Sequence, residues 1–216
     1  MNIFKKEQKD VKVIHPPASG WLEKKLSDKE MEFLWKCIDN RKKSHKGQLA
    51  GQIHESNVLV DKGDWFWQHT LHPLCLDYFQ EFGNLGLKIP VNQKHPYYLN
   101  SFWVNYQKQN EFNPLHDHVG VYSFVIWMKI PTNHSEQNKN PIALKANNQL
   151  ISTFQFHYTN ILGQMTQFTY SMNPEMEGTM LFFPAKLQHC VYPFFNCDKD
   201  RISISGNIAL NTTKLL

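Results

Sequence analysis

Apolar positions recur with a helical period early in the chain and in short β-rich runs later. Met31, Leu34, Trp35 and Ile38 fall at i, i+3, i+4 and i+7, which predicts a helix with one apolar face. Ser27-Asp28-Lys29-Glu30 stands just before it as a capping box, the hydroxyl and the carboxylate each satisfying an end of the first turn. Arg41, Lys42 and Lys43 close that helix, where cations suit the negative end of its dipole, and read as a solvated helix end. Asp64 is predicted to cap a second helix running to about Phe82, with Pro73 as a possible kink and the Gly83 to Gly86 stretch as its end. Residues 1–26 are mixed, with Pro16 and Pro17 breaking regularity.

From Tyr97 onward the texture changes to short runs rich in β-branched and aromatic residues. The runs are Tyr98–Tyr106, Val121–Ile130, Ile151–Thr159, Gln167–Ser171, Thr179–Pro184 and Arg201–Leu210. The polar, Asn-rich stretch Pro131–Asn148 reads as a long loop. This order predicts a mainly β fold with N-terminal helices: a sandwich, jelly roll or small barrel. The expected organisation is a helical or irregular support region, 1–96, packed on a β core, 97–216, in one compact domain.

Composition narrows the class. The 216 residues are 41% hydrophobic and 13% aromatic with a net charge of +4, which excludes disorder. No apolar run is long enough to cross a membrane, and Met1 to Lys9 lacks the apolar stretch of a signal peptide. The four cysteines form no C-x-x-C pair, so a reducing, cytoplasmic setting is expected. The small positive charge gives no strong nucleic-acid signal. What stands out is 11 histidines, the residue most used as metal ligand and acid/base.

Three features in the β-rich part carry chemistry. In Asn113-Pro114-Leu115-His116-Asp117-His118, leading into the run Val121–Ile130, alternation puts His116 and His118 on one face and Asp117 on the other. Two imidazoles about 7 Å apart along the backbone can grip one metal ion. His189 follows the apolar run that ends at Pro184. Arg201, Ser203 and Ser205 share one face of the last strand, and an inward Arg demands an anion for which its planar fork is suited. H-x-H, then a single His 71 positions later, then R-x-S after 12 more, is a stronger pattern than any of its parts.

In this order and spacing the sequence resembles the iron(II)- and 2-oxoglutarate-dependent oxygenases, from about Tyr97 to Leu210. The resemblance implies a double-stranded β-helix, a form of jelly roll. It also implies oxidative decarboxylation of 2-oxoglutarate coupled to hydroxylation of a substrate, with O2 consumed and ascorbate as a supporting reductant. His116 and His189 match the family's two histidines. Arg201, with Ser203, matches the residues that bind the far carboxylate of 2-oxoglutarate, and Tyr106 looks like a tyrosine that prolyl-hydroxylase-type members place near it. The fragments around Tyr106, His116, His189 and Arg201 are most similar to a subgroup of marine bacteria and marine T4-like phages that uses H-x-H, so a phage-encoded protein is one origin. Where the family has a carboxylate, this chain has His118. A three-His site, which suits iron(II), and an inward Asp117 brought in by a bulge both stay open. Trp103, Phe112, Tyr122 and Trp127 are candidate pocket walls or core, and Asn105 and Asn207 are candidate polar pocket positions. The substrate is expected to be peptidyl or a small molecule. Two other readings compete: a three-His cupin-type metal enzyme that does not use 2-oxoglutarate, and a non-catalytic jelly-roll binding or structural protein.

Overall fold

The computed structural model describes residues 18–42, 44, 47 and 49–216; Pro16, Pro17 and Lys43 lie outside them. Ten strands form two antiparallel sheets. The strands are β1 (Leu22–Lys25), β2 (Glu55–Val58), β3 (Tyr97–Gln107), β4 (Asn113–His116), β5 (Tyr122–Lys129), β6 (Thr153–Thr159), β7 (Met165–Ser171), β8 (Thr179–Pro184), β9 (Gln188–Val191) and β10 (Arg201–Leu210). The larger sheet runs β1-β8-β5-β10-β3-β2 and the smaller β4-β9-β6-β7. Val125, Trp127, Leu181 and Phe183 from the larger sheet pack against Phe154 and Phe156 of β6. The sheets therefore face one another across an aromatic core, which is the jelly roll expected of the sequence.

Helices cover the other face of the larger sheet. α1 (Asp28–Asp39) starts at Ser27 with both halves of the capping box formed, and it buries Leu34, Cys37 and Ile38. α2 (His72–Phe82) continues a π-helical turn, Trp67–Leu71, so helical backbone runs from Trp65 to Phe82 with its irregularity just before Pro73, which has no N–H to give. The N-terminal cap is not Asp64, which has a left-handed φ of 53°. Asp61 fills that role, its carboxylate accepting from the backbone N–H groups of Phe66 and Trp67 at 2.9 and 2.8 Å. Within the loop that follows β5, one short turn, α3 (His134–Gln137), interrupts the Asn-rich stretch.

Two findings change the picture drawn from the sequence. First, residues before 97 do more than buttress: β1 pairs with β8, and β2 pairs with β3, so both are strands of the larger sheet. Second, the H-x-H segment does not run into β5. It closes β4 in the smaller sheet, and the chain then crosses to β5 in the larger one through Gly120, whose φ is +102°. A Cβ there would come within 2.6 Å of the Ile208 carbonyl, so the crossing needs glycine.

Candidate metal centre

His116 ends β4 and His189 sits directly opposite it in β9. His118 lies just beyond β4, fixed by its backbone N–H donating to the Ala185 carbonyl at 2.8 Å. The ring centroids are 4.3 Å apart for His116 and His189, 4.9 Å for His118 and His189, and 5.0 Å for His116 and His118. One ring nitrogen from each falls within 4.8 Å of the other two. His116 Nδ1 contacts the Pro114 carbonyl at 2.7 Å, and His189 Nδ1 contacts the Leu187 carbonyl at 2.9 Å. A carbonyl only accepts, so Nδ1 is the donor in both rings, which leaves Nε2 as the nitrogen free to ligate. Burial pushes His118 down to about 4, helped by the neighbouring His116. His189 is held well below the ordinary histidine range, by burial first and by both neighbours next. Both are therefore neutral at physiological pH, the form that ligates a metal. Three converging imidazoles suit a divalent iron ion.

Asp117 also lines the cavity, but its carboxylate lies outside the group of three converging histidines. Its carboxylate accepts from Lys186 Nζ at 3.2 Å and from Gln188 Nε2 at 3.1 Å. Those two contacts turn the residue between His116 and His118 toward the start of β9.

The same cavity, about 210 Å³, contains Arg201, Ser203 and Ser205 from one face of β10. Arg201 is only 2% exposed. Its Nη2 donates to Ser152 Oγ at 2.8 Å, and its Nη1 to Gln107 Oε1 and the Tyr192 carbonyl, each at 3.4 Å. The Phe194 ring lies 4.8 Å from the guanidinium carbon. Among the described residues no carboxylate forms an ion pair with it, and its Nε is buried without a partner. Burial lowers its pKa to about 9, so it remains cationic at neutral pH. A buried cation surrounded by neutral groups, with a donor unspent, fits an anionic ligand.

β3 sorts the remaining candidates by parity. Trp103, Asn105 and Gln107 face the cavity. Tyr106 does not: it packs with Phe102 and Val104 in the helix-side core, under the Arg41 guanidinium at 5.4 Å. Being ten positions before His116 does not encode the side of the sheet, and the even position falls on the wrong one. Asn207 also lies outside the cavity, its Oδ1 accepting from Ser123 Oγ at 2.7 Å. Trp127 lines the cavity, whereas Phe112 and Tyr122 do not.

Several residues that line the cavity or hold Arg201 were not anticipated. Gln107 shares its face with Asn105 and is the register partner of Arg201, so the same alternation argument finds it. Ser152 sits in a left-handed turn with φ of 56° before β6, and no motif marks it. Leu49, Ala50, Gly51, Ile53 and Ser56 form one wall, and Ser56 Oγ donates to Asn105 Oδ1 at 2.7 Å.

Comparison with known proteins gives the arrangement a context. Residues 101–207 match the family model described as "Putative 2OG-Fe(II) oxygenase". No curated protein matches the sequence significantly. Among solved structures, a Pseudomonas putida prolyl-4-hydroxylase aligns with a TM-score of 0.51 at 13% identity, over 89% of this chain and 94% of that one. HygX from Streptomyces hygroscopicus, with nickel, 2-oxoglutarate and hygromycin B bound, aligns with a TM-score of 0.49 at 10% identity, over 90% and 84%. A viral collagen prolyl hydroxylase from Paramecium bursaria Chlorella virus-1 aligns with a TM-score of 0.48 at 13% identity, over 88% and 96%.

Proposed function

The chain belongs to the 2OG-Fe(II) oxygenases through residues 101–207, and on that premise we propose that His116, His118 and His189 hold the iron(II). Arg201 and Ser203 hold the far carboxylate of 2-oxoglutarate. The observation that carries this reading is a single cavity containing both three converging imidazoles and a buried arginine with no acidic partner. A cupin-type enzyme without 2-oxoglutarate accounts for the histidines but leaves the buried guanidinium without a task.

When bound, iron(II) with 2-oxoglutarate and O2 supplies the oxidising power to hydroxylate a C–H bond, releasing succinate and CO2. The chain's own residues do the rest. The Pro114 and Leu187 carbonyls hold two imidazoles in the ligating tautomer. Arg201 and Ser203 orient the co-substrate by charge and hydroxyl. Phe154, Phe183, Trp103 and Trp127 line the cavity and exclude water. Imidazole ligands bring no negative charge to a metal, so a dianionic co-substrate balances the charge of a divalent ion.

The substrate we propose is peptidyl or a small molecule, meeting the wall of Leu49 to Ile53. β1 and β2 support one compact unit in place of a separate N-terminal domain. No helix among the described residues is long and apolar enough to cross a membrane. Free Cys37, Cys75, Cys190 and Cys197 support a reducing, cytoplasmic location.

The test is anaerobic reconstitution with iron(II), then addition of 2-oxoglutarate. A visible charge-transfer band is expected, followed by O2-dependent succinate formation with ascorbate present. Failure to bind both metal and 2-oxoglutarate overturns the reading.

A further inference from the structure

A guanidinium has five N–H donors in a fixed plane, and how the protein spends them decides what remains for a ligand. In Arg201 the two Nη1 hydrogens meet two acceptors, Gln107 Oε1 and the Tyr192 carbonyl. One Nη2 hydrogen goes to Ser152 Oγ. The Nε–H is unspent, and Nη2 makes a single bond with two hydrogens to give. Nε and Nη2 form one edge of the guanidinium, the kind of edge that takes a carboxylate in bidentate fashion.

The acceptors are themselves fixed. Gln107 is 5% exposed and its Nε2 donates to the Glu111 carbonyl, so its oxygen is the end turned to Arg201. Ser152 is fully buried, with its N–H on the Pro193 carbonyl at 2.8 Å and its own carbonyl accepting from the Met172 N–H at 3.0 Å. One support comes from the larger sheet and the other from the turn leading into β6 of the smaller. Phe194 packs against the guanidinium as well. Every support is uncharged. An acid in any of these places would orient Arg201 equally well and would also neutralise it.

We propose that Gln107 and Ser152 are positioning residues for co-substrate recognition. They occupy the outer donors of Arg201, present its Nε/Nη2 edge to the far carboxylate of 2-oxoglutarate, and do so without neutralising its charge. This rests on the assignment of Arg201 to 2-oxoglutarate. Selectivity for a 2-oxo acid with a second carboxylate then depends on residues that need not touch the ligand.

The experiment measures binding of 2-oxoglutarate and of 2-oxobutyrate, which lacks the far carboxylate, to the manganese(II)-loaded full chain by anaerobic calorimetry. Melting temperature and manganese affinity are recorded for each variant. Gln107→Glu places a carboxylate on Arg201. It is expected to weaken 2-oxoglutarate at least tenfold, to leave 2-oxobutyrate within twofold, and to keep or raise the melting temperature. Ser152→Ala leaves the charge intact and is expected to weaken 2-oxoglutarate three- to tenfold, again sparing 2-oxobutyrate. A merely structural role lowers both ligands together, along with the melting temperature, and overturns the proposal. So does parent-like 2-oxoglutarate binding in both variants while Arg201→Gln loses it, which leaves the proposed function standing. If Arg201→Gln itself binds 2-oxoglutarate like the parent, the functional assignment falls and this proposal falls with it.

Discussion

His116 and His189 face each other as register partners across β4 and β9, and each donates from Nδ1 to the carbonyl two residues before it. Two strands of one sheet thus present the same ring nitrogen to one point by the same local device. Removing either imidazole leaves two ligands. His116→Ala and His189→Ala are each expected to weaken metal binding by more than about 100-fold, beyond the cost of losing an outer-sphere contact. Anaerobic titration with iron(II) or cobalt(II) measures it.

The third ligand is decided by comparing neighbours. His118→Ala is expected to lose metal as the other histidine variants do. Asp117→Ala breaks only the contacts to Lys186 and Gln188 and is expected to keep metal affinity within about tenfold. The cobalt(II) absorption spectrum reports the ligand set directly. An unchanged spectrum in His118→Ala with a changed one in Asp117→Ala reverses the assignment.

Acid has a signed effect on the metal-free protein. His118 is pushed down to about 4, whereas an unfolded histidine titrates near 6.5. Below about pH 6.5 the unfolded chain takes a proton that the folded state refuses, so stability falls as pH drops toward 4. At pH 5 this single group costs about 2 kcal/mol. His189 shifts in the same direction and adds to it. Thermal melts of the apo protein between pH 7.5 and 5 are expected to show the decline, and His118→Gln is expected to flatten part of it.

Gly120 links fold stability to the site. A Cβ there meets the Ile208 carbonyl at 2.6 Å, and the φ of +102° suits only glycine. Gly120→Ala is expected to cost about 1–3 kcal/mol and, by moving the crossing two residues after His118, to weaken metal binding as well. Melting temperature and metal affinity measured on one sample reveal whether the two move together.

The helix-capping reading supplies a control remote from the site. Ser27→Ala removes the hydroxyl half of the box at the start of α1 and leaves the backbone N–H of residue 27 on Glu30, for about 1 kcal/mol. Melting temperature is expected to fall while metal and 2-oxoglutarate affinity stay unchanged.

What was legible in the sequence follows from what is local. The capping box at Ser27 and the shared face of His116 and His118 depend on residues within one turn or one strand, and both appear in the structure. Strand parity was readable for Arg201, Ser203 and Ser205 because they lie on one uninterrupted strand. For Tyr106, suggested by the family resemblance, the same parity points to the face of β3 opposite Asn105 and Gln107. β4 and β9 have four residues each, too short for a periodic signal, and they owe their pairing to each other. β1 and β2 are strands because long-range partners, β8 and β3, select them. Ser152 reaches Arg201 only after both sheets are assembled, so nothing nearby in the chain announces it.

The wall built by Leu49 to Ile53 and Ser56 comes from outside residues 101–207, the part that matches the family. Substitutions in that wall reshape the cavity without editing any of the three histidines or Arg201. One boundary of the cavity is therefore set by a stretch of sequence separate from the one that carries the histidines and Arg201, and the two are joined where Ser56 Oγ donates to Asn105 Oδ1.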